Sequence, residues 1–235
     1  MQPFKPEPQR LYRQIAERLR SAILAGDYRP GDRLPAERDL AHILGVSRPS
    51  VREALIALEV DGWVEVRTGS GVYVLERTPS ATELTASDEW GPLELIRARR
   101  LVEGETAALA AEYAQPMHLQ AMHTALAAMC ADADAGRPPL DSDRAFHTAL
   151  VQACGNSVLM DTVQGYWDAR HSPMFERLGN YFETPQSWRA AIDEHQAILS
   201  AVQNHDPTTA RLAMHRHMDQ SHARLNASWV HGETS

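Results

Sequence analysis

The sequence predicts a mainly α-helical protein in two parts, a small N-terminal unit with a short hairpin and a longer all-helical bundle. Three observations lead there. Apolar residues recur at three- and four-residue spacing through residues 10–62 and again from Pro92 onward. Two short alternating runs, Trp63–Arg67 and Val72–Leu75, flank Thr68-Gly69-Ser70-Gly71. Between the parts, residues 76–90 (ERTPSATELTASDEW) are polar and without clear periodicity, as expected of a linker. The expected organisation is residues 1–77, a linker over 78–91, and a helical domain over 92–230.

The first helix spans 10–25, with Leu11, Ile15, Leu19, Ile23 and Ala22 on its apolar face and Gly26 at its end. Pro30-Gly31 marks a turn. Pro35 and the acidic residues Glu37 and Asp39 suit the start of a helix over Ala36–Leu44, closed by Gly45. Ser47 is a good N-cap for a third helix with apolar Val51, Leu55 and Leu58, ended by Gly62. In the second part, helices are expected near 92–114, 116–135, 140–154, 156–170, 185–203 and 206–228. The breaks between them fall at Pro116, Gly136–Pro139, Gly155, Pro173, Gly179 and Pro207.

Composition narrows the function. The chain has 235 residues and a net charge of −8, but the acid is unevenly placed. Residues 1–77 hold 12 basic against 11 acidic side chains, and the remainder 11 against 20. Acidity in the second part therefore does not exclude nucleic acid from the first. Ten of the 11 histidines lie beyond Arg77, so imidazole chemistry is expected there. Two cysteines are too few for a disulfide framework and suit a reducing cytoplasm. No apolar signal stretch and no run near the ~18 apolar residues of a membrane span is present, so a cytoplasmic protein without membrane contact is expected.

Three helices followed by a glycine-tipped hairpin make a winged helix-turn-helix. The tight turn Gly45-Val46-Ser47 sets the third helix across the second, and such a helix points its first turn into the major groove. That turn carries Ser47, Arg48, Ser50 and Arg52, with Arg48 and Arg52 four apart on one face. Arg38 lies near the same surface, and Thr68 tops the wing. The bland alternative is that the arginines merely solvate an exposed face. The stretch LPAERDLAHILGVSRPSVREALIALEVDGWVEVRTGSGVYV, however, closely resembles the DNA-binding domain of the GntR superfamily, over about residues 10–75. The resemblance implies DNA contacts by Arg38, Ser47, Arg48, Ser50, Arg52 and the wing around Thr68 and Gly69.

In the second part, Asp143 and His147 are four apart in DSDRAFHTAL and share a helix face. His195 and His217 each lie 11 residues from Asp206. In an antiparallel helix pair both would stand roughly 16 Å from the turn, at one level, as a bundle metal site needs. Three imidazoles and a carboxylate would suit Zn²⁺, Ni²⁺ or another divalent transition metal. The alternative is ordinary hydrogen-bonded histidines, which is how His118, His123, His171, His205, His222 and His231 read.

LELIRARRLVEGETAALAAEYA, D..FH, EHQAIL and the later histidine make residues 92–230 resemble the FadR-type (FCD) ligand-binding domain of GntR regulators. That resemblance implies Asp143, His147, His195 and His217 as metal ligands and Arg99 as a fork for an effector carboxylate. REALIALEVDGWVEVRTGSGVYV and GYWDARHSPMFERL further resemble repressors of hexuronate use, which implies a sugar-acid effector and a role for Arg170 as a second anion contact. Arg170 pairing with Asp168 or Glu176 on the surface is the plainer reading.

The expectation is thus a homodimeric repressor, not an enzyme, bound to an inverted-repeat operator and released by a small carboxylate. Two alternatives stay open: a repressor that senses the metal itself, and a metalloenzyme acting on a sugar acid.

Overall fold

The computed structural model describes residues 10–76 and 90–226. The expected linker over 78–91 lies outside the described residues except for Trp90 and Gly91. The chain divides into two compact units, one ending at Pro92 and one over Leu93–Asn226.

The first unit runs α1 (Leu11–Ala25), α2 (Glu37–Leu44), α3 (Arg48–Val60), β1 (Val64–Arg67) and β2 (Gly71–Val74). Its core joins Tyr12, Ile15 and Leu19 of α1 to Leu40, Val51, Leu55 and Leu58, closed by Trp63 and Val74. The apolar stripe of α1 differs from expectation at its ends. Leu11 is 49 % exposed, and Tyr12 is buried in its stead. Steps of four residues advance 400°, so a stripe through 11, 15, 19 and 23 drifts about 40° per step and leaves the core. Between α2 and α3, Gly45 takes φ of 66°, and Val46 N–H returns to the Ala41 carbonyl at 3.1 Å, a glycine-dependent helix stop. Ser47 then caps α3, its Oγ accepting from Ser50 N–H at 3.3 Å.

The hairpin is antiparallel with Val66 opposite Val72. A further pairing, not anticipated from the Pro30-Gly31 turn, covers its other edge. Leu34 N–H donates to the Val72 carbonyl at 2.8 Å, and Val74 N–H to the Asp32 carbonyl at 2.9 Å. Glu59 of α3 fixes the hairpin from the helix side by accepting from Val66 N–H at 2.8 Å.

The second unit is all-helical: α4 (Pro92–Tyr113), α5 (Pro116–Asp134), α6 (Leu140–Gln152), α7 (Ser157–Ala169), α8 (Pro173–Phe182), α9 (Pro185–Gln203) and α10 (Pro207–Asn226). Its core is built from Ala107, Ala110 and Ala111 of α4, Met122 and Met129 of α5, Phe146 and Leu150 of α6, Ile198 and Val202 of α9, and Met214 and Met218 of α10. Small α4 residues facing long methionines fill the interior at close approach. Helix α8 was not expected, because Pro173 and Gly179 read as breaks. Pro173 instead occupies the first turn, where its missing N–H costs nothing, and Ser172 caps it with Oγ 3.5 Å from Phe175 N–H. Gly179 lies inside the helix at a cost of about 0.5–1 kcal/mol. Among the described residues, no helix is long and apolar enough to cross a membrane.

Candidate functional site

In the first unit, the capped end of α3 presents Ser47, Ser50 and Arg48, with the two serine hydroxyls 2.8 Å apart. The Arg48 side chain is 47 % exposed and that of Arg38 79 %. Thr68 and Gly69 are exposed at the hairpin tip. Arg52 differs from expectation. Its side chain is 4 % exposed, with Nε and Nη2 each 3.0 Å from the two carboxylate oxygens of Glu37. Glu37 also accepts from Arg48 Nε at 3.1 Å. The reason is geometric. The first turn of α2 lies over the first turns of α3, so one α2 carboxylate reaches both arginines and draws the deeper one inward.

In the second unit, α6, α9 and α10 bring Asp143, His147, His195 and His217 together, one ligand atom of each lying within 4.8 Å of the others. The three histidines are buried. Each holds its Nδ1 against an acceptor: His195 on the Ala191 carbonyl at 2.6 Å, His217 on Glu194 Oε2 at 2.8 Å, and His147 on Glu103. With Nδ1 carrying the proton, Nε2 keeps its lone pair and turns it to the centre.

Those lone pairs crowd. His147 Nε2 is 3.1 Å from His195 Nε2, and Asp143 Oδ1 is 3.0 Å from His195 Nε2 and 3.4 Å from His147 Nε2. Oδ1 is buried and has no hydrogen-bond partner. Acceptors aimed at one another repel unless a cation stands between them, so these residues fit a metal. Three imidazoles and one carboxylate favour a borderline-soft divalent ion over Mg²⁺ or Ca²⁺.

The protonation states of His217, Glu103 and Asp143 agree with this fit, and that of His147 opposes it, since a ligating imidazole must give up its Nε2 proton. Burial, then the neighbouring His195, holds His217 down to about 3. Burial alone would raise Glu103, but Arg99 and His147 bring it to about 2. Burial opposes ionisation of Asp143 too, yet its histidine neighbours hold it well below the usual carboxylate range. His147 is pushed up by Glu103 and Asp143 against its burial.

The cluster borders a cavity of about 530 Å³ whose walls include Asp143, His217, Arg99, Arg170 and Trp167. Arg99 does not stand free for a ligand: it is buried, paired with Glu103, with its guanidinium 4.5 Å from the Trp167 ring centroid. Arg170 lies 4.7 Å from the same ring and reaches Asp143 Oδ2 at 3.3 Å and Glu183 at 3.6 Å. Asp168, its expected surface partner, pairs with Arg144 instead.

Residues 94–220 match the FCD domain, and residues 11–74 match the gntR family of bacterial regulatory proteins. The chain belongs to the gntR family. This GntR regulator is similar to two Escherichia coli K12 proteins. It is 34 % identical to the Uxu operon transcriptional regulator, over 92 % of this chain and 87 % of that protein. It is 37 % identical to the Exu regulon transcriptional regulator, over 93 % and 86 %. Among solved structures, E. coli McbR/YncC shares the fold, with a TM-score of 0.51 and 24 % identity, over 92 % of this chain and 97 % of that one. The family and these relatives are DNA-binding transcription regulators, so the regulator is not an enzyme.

Sequence reasoning brought out the four clustered residues and both arginines of this regulator but missed their supports. None of Glu103, Glu194, Trp167 and Arg224 was assigned a place in the site. Glu103 had a signal, four residues beyond Arg99 in one helix. Glu194 had only its place beside His195, which says nothing of His217.

Proposed function

We propose that the regulator is a homodimeric repressor whose FCD domain holds a divalent transition metal, zinc or nickel, on Asp143, His147, His195 and His217. Its effector is a small carboxylate, a hexuronate or related sugar acid, whose binding releases an inverted-repeat operator. The observation that carries this reading is that one cavity is bounded by Asp143 and His217 of the cluster and by Arg99 and Arg170. When bound, the metal supplies coordination positions that a carboxylate and a neighbouring hydroxyl can share. Arg170 supplies a planar cation beside it. The Uxu and Exu names of the relatives agree with the hexuronate assignment.

DNA recognition falls to the first turn of α3. Ser47, Arg48 and Ser50, with Arg38 from α2, meet base edges and phosphates, and Thr68 and Gly69 place the wing on the flanking backbone. Arg52, sequestered by Glu37, meets DNA only if it leaves that carboxylate; otherwise it sets the pose of Arg48. Effector binding acts by favouring one arrangement of the paired DNA heads, to the extent of its differential affinity for the two.

The test is calorimetry of the metal-loaded full-length protein with galacturonate, glucuronate, an aldonate and a dicarboxylate. Anisotropy on a DNA fragment selected by the protein from a random pool runs in parallel. Binding of a uronate with loss of DNA affinity supports the reading. Binding of dicarboxylates alone removes the hexuronate, and metal alone changing DNA affinity makes the ion the signal. His195→Ala and His217→Ala should lower metal content by elemental analysis, and equal content in wild type and double mutant removes the metal assignment.

A further inference from the structure

The arginines of the α2 and α3 surface all have carboxylate partners: Arg38 has Asp39 at 3.5 Å, and Arg48 and Arg52 share Glu37. Arg33 differs. It is exposed, and among the described residues its side chain enters no ion pair. The adjacent Asp32 carboxylate is engaged elsewhere, accepting from the Arg29 N–H at 2.7 Å. Backbone and shape hold Arg33 instead. It is bridged to Tyr73, which seats it along the open edge of β2. A Cβ built on Gly71 would fall 2.4 Å from Arg33 Nε and 3.1 Å from its Cζ and Nη2. The guanidinium thus fills the space that a side chain at position 71 would need, and Gly71, with φ of 123°, suits that close approach.

The pairing register puts Arg33, Tyr73, Gly71 and Arg67 on one face of the wing, because opposed residues share a face and alternate residues return to it. Val64, Val66 and Val74 occupy the other, buried face. Arg67 lies 4.5 Å from the Tyr73 ring centroid and is offset by Glu65 at 2.7 Å. The charge left over on this outer face is therefore that of Arg33. Its position along the chain matters as well. From the edge of β2 the backbone runs through Arg33 and Leu34 into α2 at Glu37, whose carboxylate accepts from Arg48 at 3.1 Å. Four residues span at most about 14 Å. Arg33 thus stands on the short path between the hairpin and the first turn of α3.

We infer that Arg33 grips a phosphate of the DNA backbone between the recognition turn and the wing tip, a sequence-independent contact additional to those of Arg48 and Thr68. The planar guanidinium matches phosphate geometry, and no carboxylate has to be released before it binds. The inference rests on the placing of α3 and the wing against DNA given above. It adds a residue outside both, whose part is to fix position on the duplex and not to read bases.

The experiment is anisotropy of the full-length protein on the selected DNA fragment and on a scrambled one, between about 0.05 and 0.2 M salt. Wild type is compared with Arg33→Gln, Arg33→Lys and Arg48→Ala. Arg33→Gln keeps most of the stem and loses the charge, and it should weaken binding to both fragments about equally. Its slope of log affinity against log salt should be shallower by about 0.9 for each bound protomer, so its deficit shrinks about three- to fourfold per protomer across that range. Arg33→Lys should restore most of the slope, since an ammonium also pairs with phosphate. Unchanged affinity and slope in Arg33→Gln would overturn the inference. So would weaker binding at an unchanged slope, which makes Arg33 a brace for the hairpin, or a loss confined to the selected fragment, which makes it a base reader. If Arg48→Ala also binds like wild type, the placing of the DNA surface fails and the inference falls with it. If Arg48→Ala is weakened and Arg33→Gln is not, the inference alone fails.

Discussion

Glu194 stands immediately before one histidine of the cluster in sequence, yet its carboxylate serves another: Oε2 accepts from Nδ1 of His217 at 2.8 Å. Arg224 grips the same carboxylate through both of its terminal nitrogens, at 2.7 and 3.2 Å. The orientation of His217 is thereby set by a chain of two charges, Glu194 of α9 and Arg224 of α10.

Glu194→Ala should lower metal affinity by about 10–100-fold with the four ligands intact, since an imidazole without its acceptor loses both its tautomer and its aim. Competition with a chromophoric chelator measures this. An unchanged constant would show that His217 is oriented by packing alone.

Arg48→Ala and Arg52→Ala should part company. Arg48 is half-exposed, so its loss should leave the melting temperature nearly unchanged while weakening DNA by about 1–3 kcal/mol if it reads a base. Arg52→Ala strips a buried carboxylate of its bidentate partner, a change that typically costs about 3–5 kcal/mol, moderated here by Arg48 remaining on Glu37. Thermal denaturation beside anisotropy separates the two. Equal melting temperatures would mean that the Glu37 pair is not fixed in solution.

Arg170→Ala should abolish or strongly weaken the effector response while DNA affinity without effector stays at the wild-type level. Arg99→Ala should do more. It leaves the buried Glu103 carboxylate without its guanidinium, facing His147 Nδ1, so metal affinity should fall along with effector response. Metal content and uronate calorimetry on both variants check the contrast, and identical behaviour would place both arginines in one role.

The two thiols should differ in reactivity. Cys154 is half-buried, its Sγ 3.1 Å from the Thr106 carbonyl, and burial pushes its pKa up to about 11. Cys130 is exposed. At pH 8 only about one Cys154 in a thousand is thiolate, and that fraction rises about tenfold per pH unit until the pKa is reached. Iodoacetamide followed by peptide mass mapping should label Cys130 first, and equal labelling at pH 8 would show that the turn after α6 opens readily.

What the sequence disclosed and what it hid divide along a physical line. Asp143 and His147 were legible because one helix turn fixes their relation, and His195 and His217 because a turn at Asp206 puts equal arms on either side. The buried state of Arg52 was not legible, because its partner Glu37 lies fifteen residues away on another helix, and spacing within α3 cannot reveal it. Helix α8 was missed for a different reason. Pro173 and Gly179 carry opposite meanings at a helix start and inside a helix, and only the Ser172 cap and the packing of Met174 and Leu178 decide between them.

The hairpin of the N-terminal unit is fastened on two flanks, by Leu34 and Asp32 along one edge and by Glu59 beneath it. A lever bolted at both sides cannot swing, so the distance from the start of α3 to the hairpin tip is fixed before any duplex arrives. Amide protons of Val66, Leu34 and Val74 should accordingly exchange among the slowest of the unit. A rigid gauge of this kind does not adapt to the groove it meets. Where a site's groove width departs from the gauge, the bending falls on the nucleic acid, and sequences that flex cheaply gain an advantage at positions no side chain reaches.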